Sequence, residues 1–207
     1  MGLVDWLYPK KCVGCGKKGG YGCDSCLKKV QPRDEQSDNC MSIFEYQGLI
    51  KKMILRLKFS YLRDLEKELE KLIDWGLDKQ INRRVNFRFK DFINKKPVIQ
   101  PVSLHWKREN WRGFNQSELI ARVVGKKLSL REVDVLVRQK QTRSQVGLKK
   151  EERSRNIKDA FEVKRFNLPE KILLIDDVWT TGSTMKASVK TLKKKGVGEI
   201  WGLTLAR

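Results

Sequence analysis

Residues 171–196, KILLIDDVWTTGSTMKASVKTLKKKG, constrain the fold more than any other part of the chain. Ile172 to Ile175 form a continuous apolar run, the pattern of a strand buried on both faces, and it stops abruptly at two carboxylates, Asp176 and Asp177. A hydroxyl-rich turn follows, Thr180-Thr181-Gly182-Ser183-Thr184. Beyond it Met185, Val189 and Leu192 recur at i, i+4 and i+7, and a lysine-rich last turn closes at Gly196, as helix C-termini prefer. Strand, acid pair, turn and helix together make a unit of α/β architecture.

The same unit reads as a binding site. A phosphate at the turn would meet backbone N–H groups, the positive end of the helix dipole and the hydroxyls of Thr180, Thr181, Ser183 and Thr184. The carboxylates would repel that phosphate, so they face a different part of the ligand, either ribose hydroxyls or Mg²⁺. A 5-phosphate with its ribose satisfies both halves. No Lys follows Gly182 and no GxGxxG follows a strand, which excludes two familiar phosphate loops. The plainer alternative is that Asp176 and Asp177 only cap the helix.

The rest of the body is consistent with a parallel sheet. Apolar positions in residues 48–79 follow helical spacing and read as two helices, or as one broken near Phe59 and Ser60. Strand patterns lie at Pro97 to Val102 and Val133 to Val137, with a helix over Ser117 to Leu128 between them; further strands are FEV, KILLI and VGEIWGLTLA. Strands alternating with helices predict an α/β fold, a mostly parallel sheet flanked by helices, with ligands at the carboxyl ends of the strands. Residues 80–96 interleave basic side chains with Phe87, Phe89 and Phe92. Those rings either stack on nucleic acid or, in the commoner use, anchor an irregular loop on the core. His105 stands alone as the single histidine, and a lone histidine is usually structural.

Near the N-terminus, CVGC and CDSC place Cys12, Cys15, Cys23 and Cys26 as two CxxC pairs seven residues apart. Two such turns supply four thiolates at tetrahedral distances from one Zn²⁺, and four thiolates close the coordination shell, so the metal is structural. Disulfides or redox pairs are the alternatives. Residues 1–30 have too few apolar side chains to bury a core, so the metal supplies the folding free energy. The expected organisation is a small four-cysteine zinc finger over residues 1–40 and a larger α/β domain over residues 41–207. Cys40 has no partner motif.

Forty-five Lys and Arg against 25 Asp and Glu give a net charge of +20. This surplus attracts polyanions, nucleic acid first among them, but its dispersion along the chain equally fits a solubilising surface. No apolar run approaches the length of a membrane span, and the first residues lack the basic start and long apolar stretch of a signal peptide. The expected location is cytoplasmic.

LLIDDVWTTGST resembles the phosphoribosyl pyrophosphate signature of type I phosphoribosyltransferases. ILRLKF at 54–59, PVSLHWKRENWRGFNQSELIA at 101–121, QVGLKKEERSRNIKDAF at 145–161, the CxxC pairs and the final LTLAR are together similar to one branch of that superfamily, the ComF family of competence proteins. The resemblance covers most of the chain and implies the type I phosphoribosyltransferase fold. It implies that Asp176 and Asp177 hold the ribose hydroxyls, directly or through Mg²⁺. Val178, Trp179, Thr180, Thr181, Gly182, Ser183 and Thr184 complete the phosphoribosyl pyrophosphate loop. Lys58, Arg108 and Arg112 become candidates for the pyrophosphate or a polyanion and, with the two aspartates, for any catalytic role. Ser103 stands where the family usually has a second proline, and Trp179 where a smaller apolar residue is common. The implied role is the handling of incoming single-stranded DNA in natural transformation, with other competence proteins such as a DNA-uptake helicase as partners. The alternative is an active phosphoribosyltransferase with a small-molecule acceptor and no direct DNA binding. Residues 138–160, with Gln139, Gln141 and Gln145, would then form a lid or a nucleic-acid grip.

Overall fold

A computed structural model describes residues 9–34, 39–59, 63–140, 157, 159–164 and 167–207, excepting the side chains of residues 59, 63, 64, 85, 108 and 112. The stretch 138–160 named above falls mostly outside these residues, Gln141 and Gln145 included.

Strands β1 (Cys40–Phe44), β2 (Val98–Pro101), β5 (Lys171–Val178) and β6 (Glu199–Ala206) form one parallel sheet in the order β1-β6-β5-β2. Helices α1 (Asp24–Leu27), α2 (Gly48–Phe59), α3 (Arg63–Ile81), α4 (Phe87–Asn94), α5 (Trp106–Arg112), α6 (Gln116–Leu128) and α7 (Ser183–Lys194), a 3-10 turn at Arg84–Asn86 and a short antiparallel pair, β3 (Leu136–Arg138) and β4 (Phe161–Val163), complete the described regular elements.

Strand β5 explains why the sheet is covered on both faces. Leu173 and Ile175 join the apolar cluster that holds α2, α3 and α6, whereas Ile172 and Leu174 join the cluster built on Met185 and Leu192 of α7. Successive side chains point to opposite faces, so an uninterrupted apolar run is what a two-sided burial requires. Helix α3 approaches β1 so closely that a Cβ on Gly76 would lie 2.4 Å from both Ile43 and Phe44.

The expectation of an α/β fold with a mostly parallel sheet holds, and so does the interruption of residues 48–79, with α2 ending at Phe59 and α3 starting at Arg63. Three segments differ. Residues 87–94 are a helix rather than a loop; Phe89 and Phe92 lie against Trp201 with ring centroids at 5.6 and 5.9 Å, while Phe87 stays 68% exposed. The strand read at Val133 to Val137 starts at Leu136 and leaves the main sheet. There Val133 N–H donates to Ile99 O at 2.8 Å and Val135 N–H to the Gln100 side-chain oxygen at 2.7 Å, so the buried amide of Gln100 substitutes for a neighbouring strand. Finally, α5 follows β2 directly, started by His105 and ended by Gly113 at φ 75°.

Candidate ligand site at the end of strand β5

Asp176 lies opposite Thr204 of β6 in the parallel register, and Thr204 in turn lies opposite Ser42 of β1. The Ser42 and Thr204 hydroxyls meet at 2.8 Å, a polar row buried across the sheet just where the strands end. Asp176, Val178, Trp179, Thr180, Gly182, Ser183, Thr184, Met185 and Thr204 line one cleft. It therefore gathers most of the loop singled out in the sequence, at the carboxyl edge where parallel sheets place their ligands.

The turn is built by local hydrogen bonds. Gly182 sits at φ 71°, in the left-handed region, and no side chain could be added there freely, because a Cβ would lie 2.5 Å from the Trp179 ring. The Thr181 and Ser183 hydroxyls are 2.8 Å apart, and the Thr181 oxygen accepts the Ser183 N–H at 3.3 Å, a local turn just before α7, whose N-cap position is Gly182. The helix's own ladder begins with Lys186 N–H to Gly182 O at 2.8 Å. Its N-terminal turn thus opens on the cleft, which is the setting in which backbone amides and the helix dipole favour an anion. Trp179 is held from behind by Arg207, whose guanidinium carbon lies 5.4 Å from its ring.

The two acids have different surroundings. One Asp176 oxygen accepts from the Ser117 hydroxyl at 3.2 Å and from the Asp177 N–H at 2.8 Å. Asp177 pairs with the Lys58 ammonium at 2.7 Å. Burial and then the neighbouring Asp177 charge push the Asp176 carboxyl up to about 7, against the opposing pull of the Asp177 N–H, Lys58 and Ser117. Burial alone would depress Lys58, but Asp177 overrides it and the ammonium titrates above its ordinary value. In its ionised form Asp176 could accept ligand hydroxyls or help hold a hard cation such as Mg²⁺.

Of the cations proposed from sequence, Lys58 reaches the site. Arg108 and Arg112 belong to α5, but their side chains lie outside the described residues. His105 does not enter the site; it is buried, and its Nδ1 accepts the Lys107 N–H at 3.3 Å as the cap of α5.

The N-terminal cysteines form a second centre. The Sγ atoms of Cys12, Cys15, Cys23 and Cys26 all lie within 4.8 Å of one another, and Cys15 and Cys23 are 3.5 Å apart. Four thiolates around one Zn²⁺ stand about 3.8 Å apart, given Zn–S bonds of about 2.3 Å, so the cluster could hold such a metal. Burial pushes the Cys12 thiol up, yet the backbone N–H groups of Cys23, Cys15 and Gly14 outweigh it and bring it down to about 6. Its hydrogen bond to Cys23 and then burial push Cys26 up to about 12. Four crowded thiols resist ionising together unless a cation is shared among them, which is the chemistry of a metal site. All described cysteines are free of disulfides.

No model of a known protein family matches the chain. Among curated proteins, competence protein F of Haemophilus influenzae is 30% identical over 204 residues, which span 94% of this chain and 84% of that protein. The chain belongs to the competence protein F family. DNA utilization protein YhgH of Escherichia coli K12 is 27% identical over 199 residues, covering 93% of this chain and 82% of YhgH. Competence protein ComFC of Streptococcus pneumoniae is 28% identical over 204 residues, with 91% and 82% covered. The resemblance read from LLIDDVWTTGST and the flanking motifs stands at the level of the family.

In this competence protein F relative, sequence reasoning did not single out Ser117, Thr204 or Arg207. Ser117 carried one usable signal. It follows Asn115, whose side chain accepts the Ser117 N–H at 3.0 Å and donates to Glu118 at 3.2 Å, a capping arrangement legible in N-x-x-E before an apolar stripe. No helix among the described residues is long and apolar enough to cross a membrane.

Proposed function

We propose that this chain binds phosphoribosyl pyrophosphate, with Mg²⁺, along Asp176 to Thr184, and that it acts in the cytoplasm in DNA uptake, handling incoming single-stranded DNA during natural transformation. One observation carries the ligand reading: at the end of β5 Asp176 lines the same cleft as Thr180, Ser183, Thr184 and the opening of α7, with Asp177 next to it in the chain, so acid and anion-binding groups are divided as a ribose and its 5-phosphate would need. Asp176 and Asp177 would accept from the ribose hydroxyls or hold Mg²⁺, which would neutralise pyrophosphate oxygens beside them. The Thr180 to Thr184 turn would take the 5-phosphate.

The DNA reading is supported by relatives named for competence and for DNA utilization, and by the net charge of +20. Calorimetry with phosphoribosyl pyrophosphate and Mg²⁺ tests the first part: Asp176→Asn combined with Asp177→Asn must lose affinity, and equal affinity in wild type and variant refutes the assignment. Single-stranded DNA binding tests the second, since neutralised phosphates release counterions and binding must fall steeply with added salt. A weak, salt-independent association sinks it.

A second reading, transfer of the phosphoribosyl group to an unidentified small acceptor, is favoured by the Lys58 ammonium beside the acids, where it would face a leaving pyrophosphate. Pyrophosphate release upon adding acceptors separates it from binding alone.

A further inference from the structure

We propose that the cysteine knuckle positions Lys58 at the ligand site through helix α2, so that the metal state of the knuckle is felt by the ligand. The inference rests on the phosphoribosyl pyrophosphate reading of residues 176–184.

Helix α2 is held at both ends by different centres. Towards its start, Lys52 Nζ donates to Gly14 O, inside the CVGC turn, at 2.6 Å. A Cβ on Gly14 would lie 3.3 Å from the Leu49 methyl, and one on Gly22, beside Cys23, would lie 3.2 Å from the Met53 methyl. The absence of side chains at these two glycines lets the knuckle sit directly on the first turns of α2. Cys12, Leu49, Ile50 and Met53 accordingly share one apolar cluster, with Cys23 and Cys26 packed on it.

Towards its end, the same helix delivers Lys58 to Asp177 at 2.7 Å. Leu57 O there accepts the Gln116 side-chain amide at 3.5 Å, one residue before Ser117, whose hydroxyl holds Asp176. Lys52 and Lys58 are six residues, or about 9 Å of helix rise, apart. A continuous hydrogen-bonded helix of that length is stiff, so displacement at the Gly14 contact moves Lys58. Four thiolates gathered on one ion fix the Gly14 and Gly22 turns; without it, the support under α2 loosens. Lys58 matters to an anionic ligand because it is a cation that offsets Asp177 beside the half-buried Asp176. Lys52 is thus a positioning residue acting through Lys58.

A mutant cycle read by calorimetry with phosphoribosyl pyrophosphate and Mg²⁺ tests this on the full chain. Lys52 is exposed, so Lys52→Met keeps its fold, which a thermal melt checks. Lys52→Met weakens binding by about fivefold or more, in the range of ordinary inter-site coupling. Lys52→Arg, which retains a donor, restores it. In the Lys58→Met background, Lys52→Met and chelation of the knuckle metal each add no further loss. Wild-type affinity in Lys52→Met, or losses that multiply in the double variant, overturns the inference while leaving the ligand reading intact. No binding by the wild type refutes the ligand reading and the inference with it.

Discussion

The Lys58 ammonium and the Asp177 carboxylate meet at 2.7 Å across the space between helix α2 and the end of strand β5, with side chains 23% and 15% exposed. Removing one partner leaves the other partly buried and unpaired. Lys58→Met is therefore expected to lower stability at pH 8 by about 1–2 kcal/mol, less than a fully buried pair because both groups retain some water. Urea unfolding measures it. Asp177→Asn added to Lys58→Met recovers part of the loss, and strictly additive losses would show that the pair is not coupled.

Asp176 gives the free protein a defined pH dependence. Its carboxyl titrates near 7 in the fold and near 3.8 unfolded, so between those values the folded state binds more protons. Stability contributed by this group is therefore highest at the acid end of that window and declines as pH rises from about 4 to about 7. Denaturation at several pH values should show this decline flatten in Asp176→Asn. On the proposed Mg²⁺ reading, Mg²⁺ affinity is expected to run the opposite way, rising as pH climbs through about 7, because a cation needs the ionised form.

Gly182 is the tightest point of the loop. Alanine there would adopt φ 71° and place its methyl 2.5 Å from the Trp179 ring. Gly182→Ala is expected to cost about 2 kcal/mol or more in chemical denaturation. In a Trp179→Ala background, the same Gly182→Ala change adds only the backbone strain, about 1 kcal/mol.

At the knuckle, a methyl on Gly14 would lie 2.7 Å from Cys26 Sγ. Gly14→Ala displaces that thiol, and Zn²⁺ affinity measured against a chromophoric chelator is expected to fall about tenfold or more, as for groups that position metal ligands. Gly20→Ala, whose methyl would meet only Glu68 at 3.8 Å, serves as the control and keeps wild-type affinity.

The features legible in the sequence were those whose parts are neighbours along the chain. The four thiols come from two CxxC turns, and Asp176, the hydroxyls of Thr180, Ser183 and Thr184 and the helix start that line the cleft lie within nine consecutive positions, so spacing alone exposed their chemistry. What escaped depended on distant partners. Strand β1, CMSIF, shows no alternation because all five residues are buried, and its Ser42 reads as polar surface until Thr204, 162 positions away, supplies the hydrogen bond. Ser117 acquires its role only when the fold brings Asp176 to it, 59 positions on. Residues 87–94 looked irregular because Arg88 and Lys90 interrupt the rings, yet Phe89 and Phe92 lie three apart and so share a helical face that Trp201 covers.

The order of strands in the sheet bears on how the protein is made. β6, from residues 199–206, lies between β1 and β5 and supplies the neighbouring strand of β1. As the chain leaves the ribosome, β1 emerges some 150 residues ahead of the strand that completes it, and long-range parallel pairing is slow to form. Until β6 arrives, β1 has beside it among the described residues only the short bridge of Pro32 to Phe44, and the partners of Met41 and Ser42 on β6 are missing, an unpaired edge of the kind that favours mispairing.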